Sequence, residues 1–191
     1  LSTNEALRNL MVGVDRPQVG DVVWVLVNGF SVLDESGQIE QVIINFVDIT
    51  DRKRTEEAIV ESEHRYHMLF ETAGDAIFLM EGDRFIDCNP RTLEMFATPR
   101  DQIIAASPYK FSPPTQPDGS DSKDKAIEKI TAAFAGEPQV FDWEHCRLDG
   151  TPFDAEVSLN ALELQGRPHL LAIVRDISER KRVEAELAHS S

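Results

Sequence analysis

The chain has 191 residues, 41% hydrophobic and 28% charged, enough for one or two ordinary domains with a core of their own. Lysine and arginine number 19 against 34 acidic residues, and the net charge of −15 disfavours partnership with nucleic acid or an anionic membrane surface. Two cysteines outside any CxxC pair, no run of membrane-spanning length and an opening Leu1-Ser2-Thr3-Asn4-Glu5 without signal-peptide character read as a cytosolic segment with no direct membrane contact.

An internal repeat organises the rest. Asp48-Ile49-Thr50-Asp51-Arg52-Lys53-Arg54 returns as Asp176-Ile177-Ser178-Glu179-Arg180-Lys181-Arg182, 128 residues later (176 minus 48). Each copy follows a β-rich run, Val42 to Val47 and Leu170 to Arg175, and precedes a helical stretch. The offset suits one small domain plus a connector, so the chain reads as tandem copies of one module.

Between the copies the elements follow in order. Glu56 to Phe70 lacks Gly and Pro and places Ile59, Tyr66 and Leu69 at helical spacing. Ala76 to Met80 and Arg84 to Cys88 form a hairpin around Glu81-Gly82-Asp83. Asn89-Pro90 breaks the second strand, and helical spacing resumes from Arg91 to Ala97. Ser107 to Asp124, with four prolines, reads as loop. Lys125 to Ala135 is an amphipathic helix stopped by Gly136. Three strands close the pattern: Val140 to Leu148, Pro152 to Leu164 and Pro168 to Ile177. Two strands, short helices, then three strands predict an α+β domain, an antiparallel sheet with its helices on one face.

Asn89-Pro90 after the second strand, the Leu148-Asp149-Gly150-Thr151-Pro152-Phe153 hairpin and Asp176 to Arg182 after the last strand together resemble a PAS domain with its PAC motif, the sensory box. The likeness covers roughly residues 63–182. It implies a five-stranded antiparallel sheet with short helices enclosing a small cavity over one face. Arg8 to Pro17, Val22 to Asp34 and Gln38 to Ile49 resemble only the last three strands of such a domain, with Trp24 and the turn Asp34-Glu35-Ser36-Gly37 at the expected places. The expected organisation is therefore the C-terminal half of a PAS domain (1–52), a linker helix (53–70), a complete PAS domain (63–178) and a C-terminal signalling helix (179–191), with the chain starting inside its first domain.

The chemistry-bearing residues complete no familiar catalytic constellation. Ser107, His145 and Asp154 could be assembled into a nucleophilic triad, but no Gly-x-Ser-x-Gly elbow surrounds any serine. Asp118, Asp121 and Asp124 lack the ligand spacing of a calcium loop, and His64 and His67, three residues apart, lack zinc spacing. No catalytic and no metal site is expected. The candidate pocket comprises Phe78, Met80, Asn89, Phe96, Phe134, Trp143 and His145, and Phe141, Trp143 and His145 alternate onto one face of a strand. Lys125 to Ala135 offers neither histidine nor methionine as an axial ligand, and Asp87-Cys88-Asn89-Pro90 is not the Asn-Cys-Arg-Phe of photochemical flavin domains, so haem and flavin are disfavoured and the cofactor is left open. The resemblance implies signal relay through Asp48, Ile49 and Thr50 and through Asp176, Ile177 and Ser178. Thr50 and Ser178 are expected to cap the helices they precede. Ile59, Tyr66 and Leu69 mark a homodimer helix. The expected function is sensory, with a small organic ligand in the cavity and a C-terminal effector, a histidine kinase or a cyclic-dinucleotide synthase or hydrolase. A ligand-free dimerisation spacer and, remotely, a small-molecule hydrolase are the alternatives.

Overall fold

The computed structural model describes residues 6–189. The opening five residues, on which the signal-peptide reading rests, lie outside that range, as do Ser190 and Ser191. The chain divides into two units, 1–66 and 67–191.

The first unit is an antiparallel meander of β1 (Leu7–Arg16), β2 (Asp21–Leu33) and β3 (Ile39–Asp48), followed by α1 (Thr50–Thr72), which continues past the unit boundary. Apolar residues run unbroken through Val22 to Val27 on β2 and Val42 to Ile44 on β3, and the register brings Leu10, Val27 and Phe46 into one row, with Val12 beside Val25 and Val14 beside Val23. One face of the sheet thus carries a continuous apolar row. Phe46 is nevertheless 65% exposed and Leu10 45%.

The second unit contains β4 (Ala76–Glu81), β5 (Arg84–Cys88), α2 (Pro90–Phe96), α3 (Arg100–Ile103), a 3-10 turn (Pro108–Phe111), α4 (Ser122–Phe134), β6 (Gln139–Cys146), β7 (Pro152–Leu164), β8 (Arg167–Asp176) and α5 (Ser178–His189). The five strands are antiparallel in the order β5-β4-β8-β7-β6, so the last strand pairs between the first and the fourth. The expected α+β sheet is present. Two short elements lie where the sequence has no readable period: α3, and the 3-10 turn inside the proline-rich loop.

Local chemistry fixes the helix ends. Asn89 begins α2 by accepting the Thr92 N–H on its side-chain oxygen, with Pro90 in the first turn, where a missing N–H costs nothing. Asn89 is fully buried, and its carboxamide also accepts from the Ile77 N–H (3.0 Å) and donates to the carbonyls of Phe70 (3.1 Å) and Asp75 (3.0 Å). It thus fastens the end of α1, the start of β4 and α2 to one another. Asp121 caps α4 through the Asp124 N–H, and Gly136, at φ 91°, takes the left-handed turn that stops it.

The core lies between the inner face of this sheet and α2, α3, α4 and the 3-10 turn. Phe96 is its centre, meeting Phe78, Phe111, His145 and Phe153 edge to face at ring separations of 5.5, 5.8, 5.1 and 5.2 Å.

Candidate functional site: an apolar cavity and the strand-to-helix junction

The helical layer does not fill the space over the sheet. A cavity of about 50 Å³ remains, walled by β4, β5, β6, β7 and β8 on one side and by α2, α4 and the 3-10 turn on the other. Of the residues singled out in the sequence, Phe78, Met80, Phe96, Trp143 and His145 line it. Asn89 and Phe134 are not among the lining residues. Asn89 spends its polar atoms on backbone partners, and Phe134, at the end of α4, packs against the edge of the core. Phe85, Phe111, Ile130 and Phe141 also line the cavity, and so does Pro108. Phe111 has no periodic signal to mark it, because it sits in a proline-rich segment that reads as loop.

Two aromatic rings of β6 bring polar atoms to this region. Trp143 Nε1–H donates to Ser112 Oγ at 2.9 Å. His145, 7% exposed, has Nδ1 at 3.1 Å from the Phe111 carbonyl. A carbonyl only accepts, so Nδ1 carries the proton and Nε2 is left as an acceptor. That Nε2 is buried and has no partner among the described residues. Burial pushes the His145 pKa down to about 4, the Phe111 carbonyl opposing it, so the ring is neutral at physiological pH.

The loop before α4 is held at the edge of the sheet. Gln116 accepts the Glu144 N–H at 2.8 Å and donates to the Glu144 carbonyl at 3.2 Å, imitating one further strand residue beside β6. Asp118 accepts from Ser120 and Lys125 and Asp121 caps α4, so these acidic residues order the loop. The imagined triad is not assembled: His145 is committed to Phe111, and Asp154 accepts from Lys181 at 2.8 Å. No group of three or more potential metal ligands occurs among the described residues.

The repeated motif has the same geometry in both units. After β8, Asp176 accepts the Ser178 N–H (2.9 Å), the Ile177 N–H donates to the Asp154 carbonyl on β7 (2.9 Å), and Ser178 Oγ accepts the Asp154 N–H (3.1 Å). After β3, Asp48 accepts the Thr50 N–H (2.9 Å), the Ile49 N–H donates to the Trp24 carbonyl on β2 (2.8 Å), and Thr50 Oγ1 accepts the Trp24 N–H (2.9 Å). Thr50 and Ser178 therefore do not cap the helices as the sequence suggests. Their hydroxyls are turned back to the neighbouring strand, and the aspartate two residues earlier serves the helix N–H instead. Hydrogen bonds from the Thr50 hydroxyl and N–H hold the Asp48 carboxyl below the usual carboxylate range. Lys181 adds a second tie, reaching Asp142 at 3.3 Å as well as Asp154 at 2.8 Å. Lys53, its counterpart in the repeat, lies 5.7 Å from the centre of the Trp24 ring.

Ile59, Tyr66 and Leu69 on α1 are 54%, 66% and 68% exposed, and Thr50 is the buried residue of that helix.

An antiparallel sheet of order β5-β4-β8-β7-β6, helices over one face, a cavity beneath them and a strand that runs straight into a helix define a specific class of small α+β domain. The chain belongs to the PAS domain family, whose family model matches residues 18–51 and 74–179, more than half of the sequence. It is 24% identical over 169 residues to the sensor protein FixL of Bradyrhizobium diazoefficiens, covering 86% of this chain and 32% of that protein. The chain thus spans about a third of that relative. It is similar in structure to the PAS domain of an HTR-like protein from Haloarcula marismortui (26% identity, TM-score 0.55, 65% of this chain and 99% of that one). It also resembles a domain of a sensory box sensor histidine kinase/response regulator from Geobacter sulfurreducens (25% identity, TM-score 0.52, 62% of this chain and 96% of that one).

Proposed function

We propose that this chain is a sensory module in which occupancy of the cavity in the second unit biases the β8–α5 junction, and that α5 passes the change to a downstream effector. The observation that carries this reading is continuity. Ala172 and Val174 line the cavity from β8, and two residues further on the same strand ends at Asp176-Ile177-Ser178, which is tied to Asp154 of β7. A displacement of Val174 therefore reaches the first turn of α5 through one short, hydrogen-bonded segment. For a signal to act, it must bind the two arrangements with different affinity. The relatives' own descriptions, a sensor protein and a sensor histidine kinase, favour a histidine kinase as effector over a cyclic-dinucleotide enzyme. The exposed stripe Ile59, Tyr66 and Leu69 supports a homodimer formed along α1.

Filling the cavity by mutation tests the reading. Ala172→Leu occupies the space with the protein's own atoms, and the amides of Ile177 and Lys181, which donate to Asp154 and Ile177, should change their hydrogen-exchange rates by at least fivefold. Exchange at both amides identical to wild type in a folded Ala172→Leu protein would disprove the coupling. One observation favours a second reading. The cavity is small and Phe78, Phe85, Phe96 and Phe111 crowd it with the protein's own rings, as a ligand-free dimerisation spacer requires.

A further inference from the structure

We propose that Arg147 is a positioning residue for the output helix: its guanidinium joins the end of α2, in the helical layer over the cavity, to the Asp176 carboxylate that receives the first N–H of α5. The inference deepens the reading of the cavity as the signal site and rests on it, and it adds a second route to the one through β8.

Arg147 follows β6 at the turn into β7, and three contacts fix its side chain. Nη1 donates to the Met95 carbonyl in the last turn of α2. Nη2 stands 3.5 Å from Asp176 Oδ2, and the other oxygen of that carboxylate accepts the Ser178 N–H. The guanidinium carbon lies 4.6 Å from the centre of the Phe153 ring, which holds the planar group between its two partners. The neighbouring Leu148 N–H donates to the Phe96 carbonyl at 3.1 Å. The last carbonyls of a helix have no partner within it, so residues 147 and 148 close the end of α2.

Phe96 connects this grip to the cavity. It lines the cavity and is the residue after Met95. A shift of its ring turns the carbonyl that Arg147 holds, and the guanidinium passes the shift to Asp176. Arginine suits the task because one rigid fork reaches two acceptors, where a lysine is a point charge. The side chains of Arg147 and Asp176 are each 29% exposed, against 50% or more in the ion pairs along α1, so water screens this pair less.

The repeat supplies a control. By register Arg16 stands in the first unit where Arg147 stands in the second, Asp48 where Asp176 does, and Asp21 where Thr151 does. The described residues of the first unit hold only strands and α1, and there the guanidinium forks onto Asp21 at 2.8 and 2.6 Å. Thr151 offers no carboxylate, and Arg147 reaches α2 instead. The arginine is common to both units, and its use follows the helical layer.

A change in α2 read out at α5 tests the link. Phe96→Leu alters the ring at the cavity, and hydrogen exchange is followed at the Ser178 amide relative to the Ile130 amide of α4, so that a general loss of stability cancels. With Arg147 intact this ratio should change about fivefold, the scale of coupling within one network, and in Arg147→Gln by less than about twofold. An equal change in both backgrounds, or none in either, would overturn the inference. The Ala172→Leu response, carried by β8, should persist in Arg147→Gln, and its loss there would reduce the arginine to a structural role. Its absence from the protein with Arg147 intact would remove the sensory reading instead. Should Arg147→Gln not fold, Asp176→Asn breaks the same ion pair and keeps an oxygen for the Ser178 N–H, and a full Phe96→Leu response in that variant would overturn the assignment.

Discussion

Acid should destabilise the second unit through His145. The ring is buried, and burial lowers its pKa from the ordinary 6.5 to about 4, with no charged group contributing. The folded state therefore resists protonation while the unfolded chain accepts it. Stability is fully present above pH 6.5, is lost as pH falls through the window from 6.5 to 4, and levels off once the folded ring also protonates. A tenfold difference in proton affinity between the folded and unfolded chain is worth about 1.4 kcal/mol, so the whole window amounts to roughly 3 kcal/mol and the step from pH 7 to pH 5 to about 2 kcal/mol. The reference is His145→Asn, which keeps a donor for the Phe111 carbonyl but cannot titrate. Urea unfolding at pH 7, 6 and 5, read by Trp143 fluorescence in a Trp24→Phe background, would isolate the second unit. The stability difference between the protein with His145 intact and the His145→Asn variant should narrow or reverse by about 2 kcal/mol over that range. A difference constant to within about 0.5 kcal/mol would refute the assignment of a neutral, desolvated ring.

Three other outcomes follow from the contacts. Asn89→Ala should cost about 3 kcal/mol in thermal or urea unfolding, because it unpairs the part-buried Ile77 N–H and removes the carboxamide's bonds to the Thr92 N–H and to the Phe70 and Asp75 carbonyls, and a cost below about 1 kcal/mol would contradict the network. Ser178→Ala and Thr50→Val should each cost about 1 kcal/mol and speed exchange of the Asp154 and Trp24 amides respectively, with unchanged exchange counting against the junction geometry. Leu69→Glu should lower the mass found by sedimentation from dimer to monomer, and a wild-type chain already monomeric at high concentration would end the homodimer reading.

The fold was legible because its periodic elements are long. β7 alternates Phe153, Ala155, Val157 and Leu159 inward, and those four residues are buried in the structure. The pocket was half legible for the same reason: strand alternation put Trp143 and His145 on one face, and the structure keeps them there. What the sequence could not disclose lies in the proline-rich stretch before α4. There Phe111, Ser112 and Gln116 supply the carbonyl, hydroxyl and carboxamide that face His145, Trp143 and Glu144 across 34, 31 and 28 positions of chain. Such contacts have no period and no local signature. The hydroxyls of Thr50 and Ser178 misled for a related reason: a hydroxyl at a helix start has a local partner in the next turn and a distant one on the adjacent strand, and only tertiary structure brings the distant one into reach.

The two units set the divergence of the repeat against its constancy. Their strands share one register. The row Leu10, Val27, Phe46 corresponds to Phe141, Val157, Val174, the pair Val12 and Val25 to Trp143 and Ala155, and the pair Val14 and Val23 to His145 and Phe153. Where the second unit carries the indole and the imidazole, the first carries two valines, so it has neither the acceptor nor the ring that orders the neighbouring loop. The junction has not diverged in this way. Aspartate, isoleucine, a hydroxyl residue and a lysine recur at the same steps, and the hydrogen bonds to β2 and β7 agree to within a few tenths of an ångström. Even the altered partner keeps its place, since Trp24 stands where Asp154 does and each receives a lysine from the first turn of the following helix. The step from strand to helix is the part the two units hold in common, and it is the part on which the proposed relay depends.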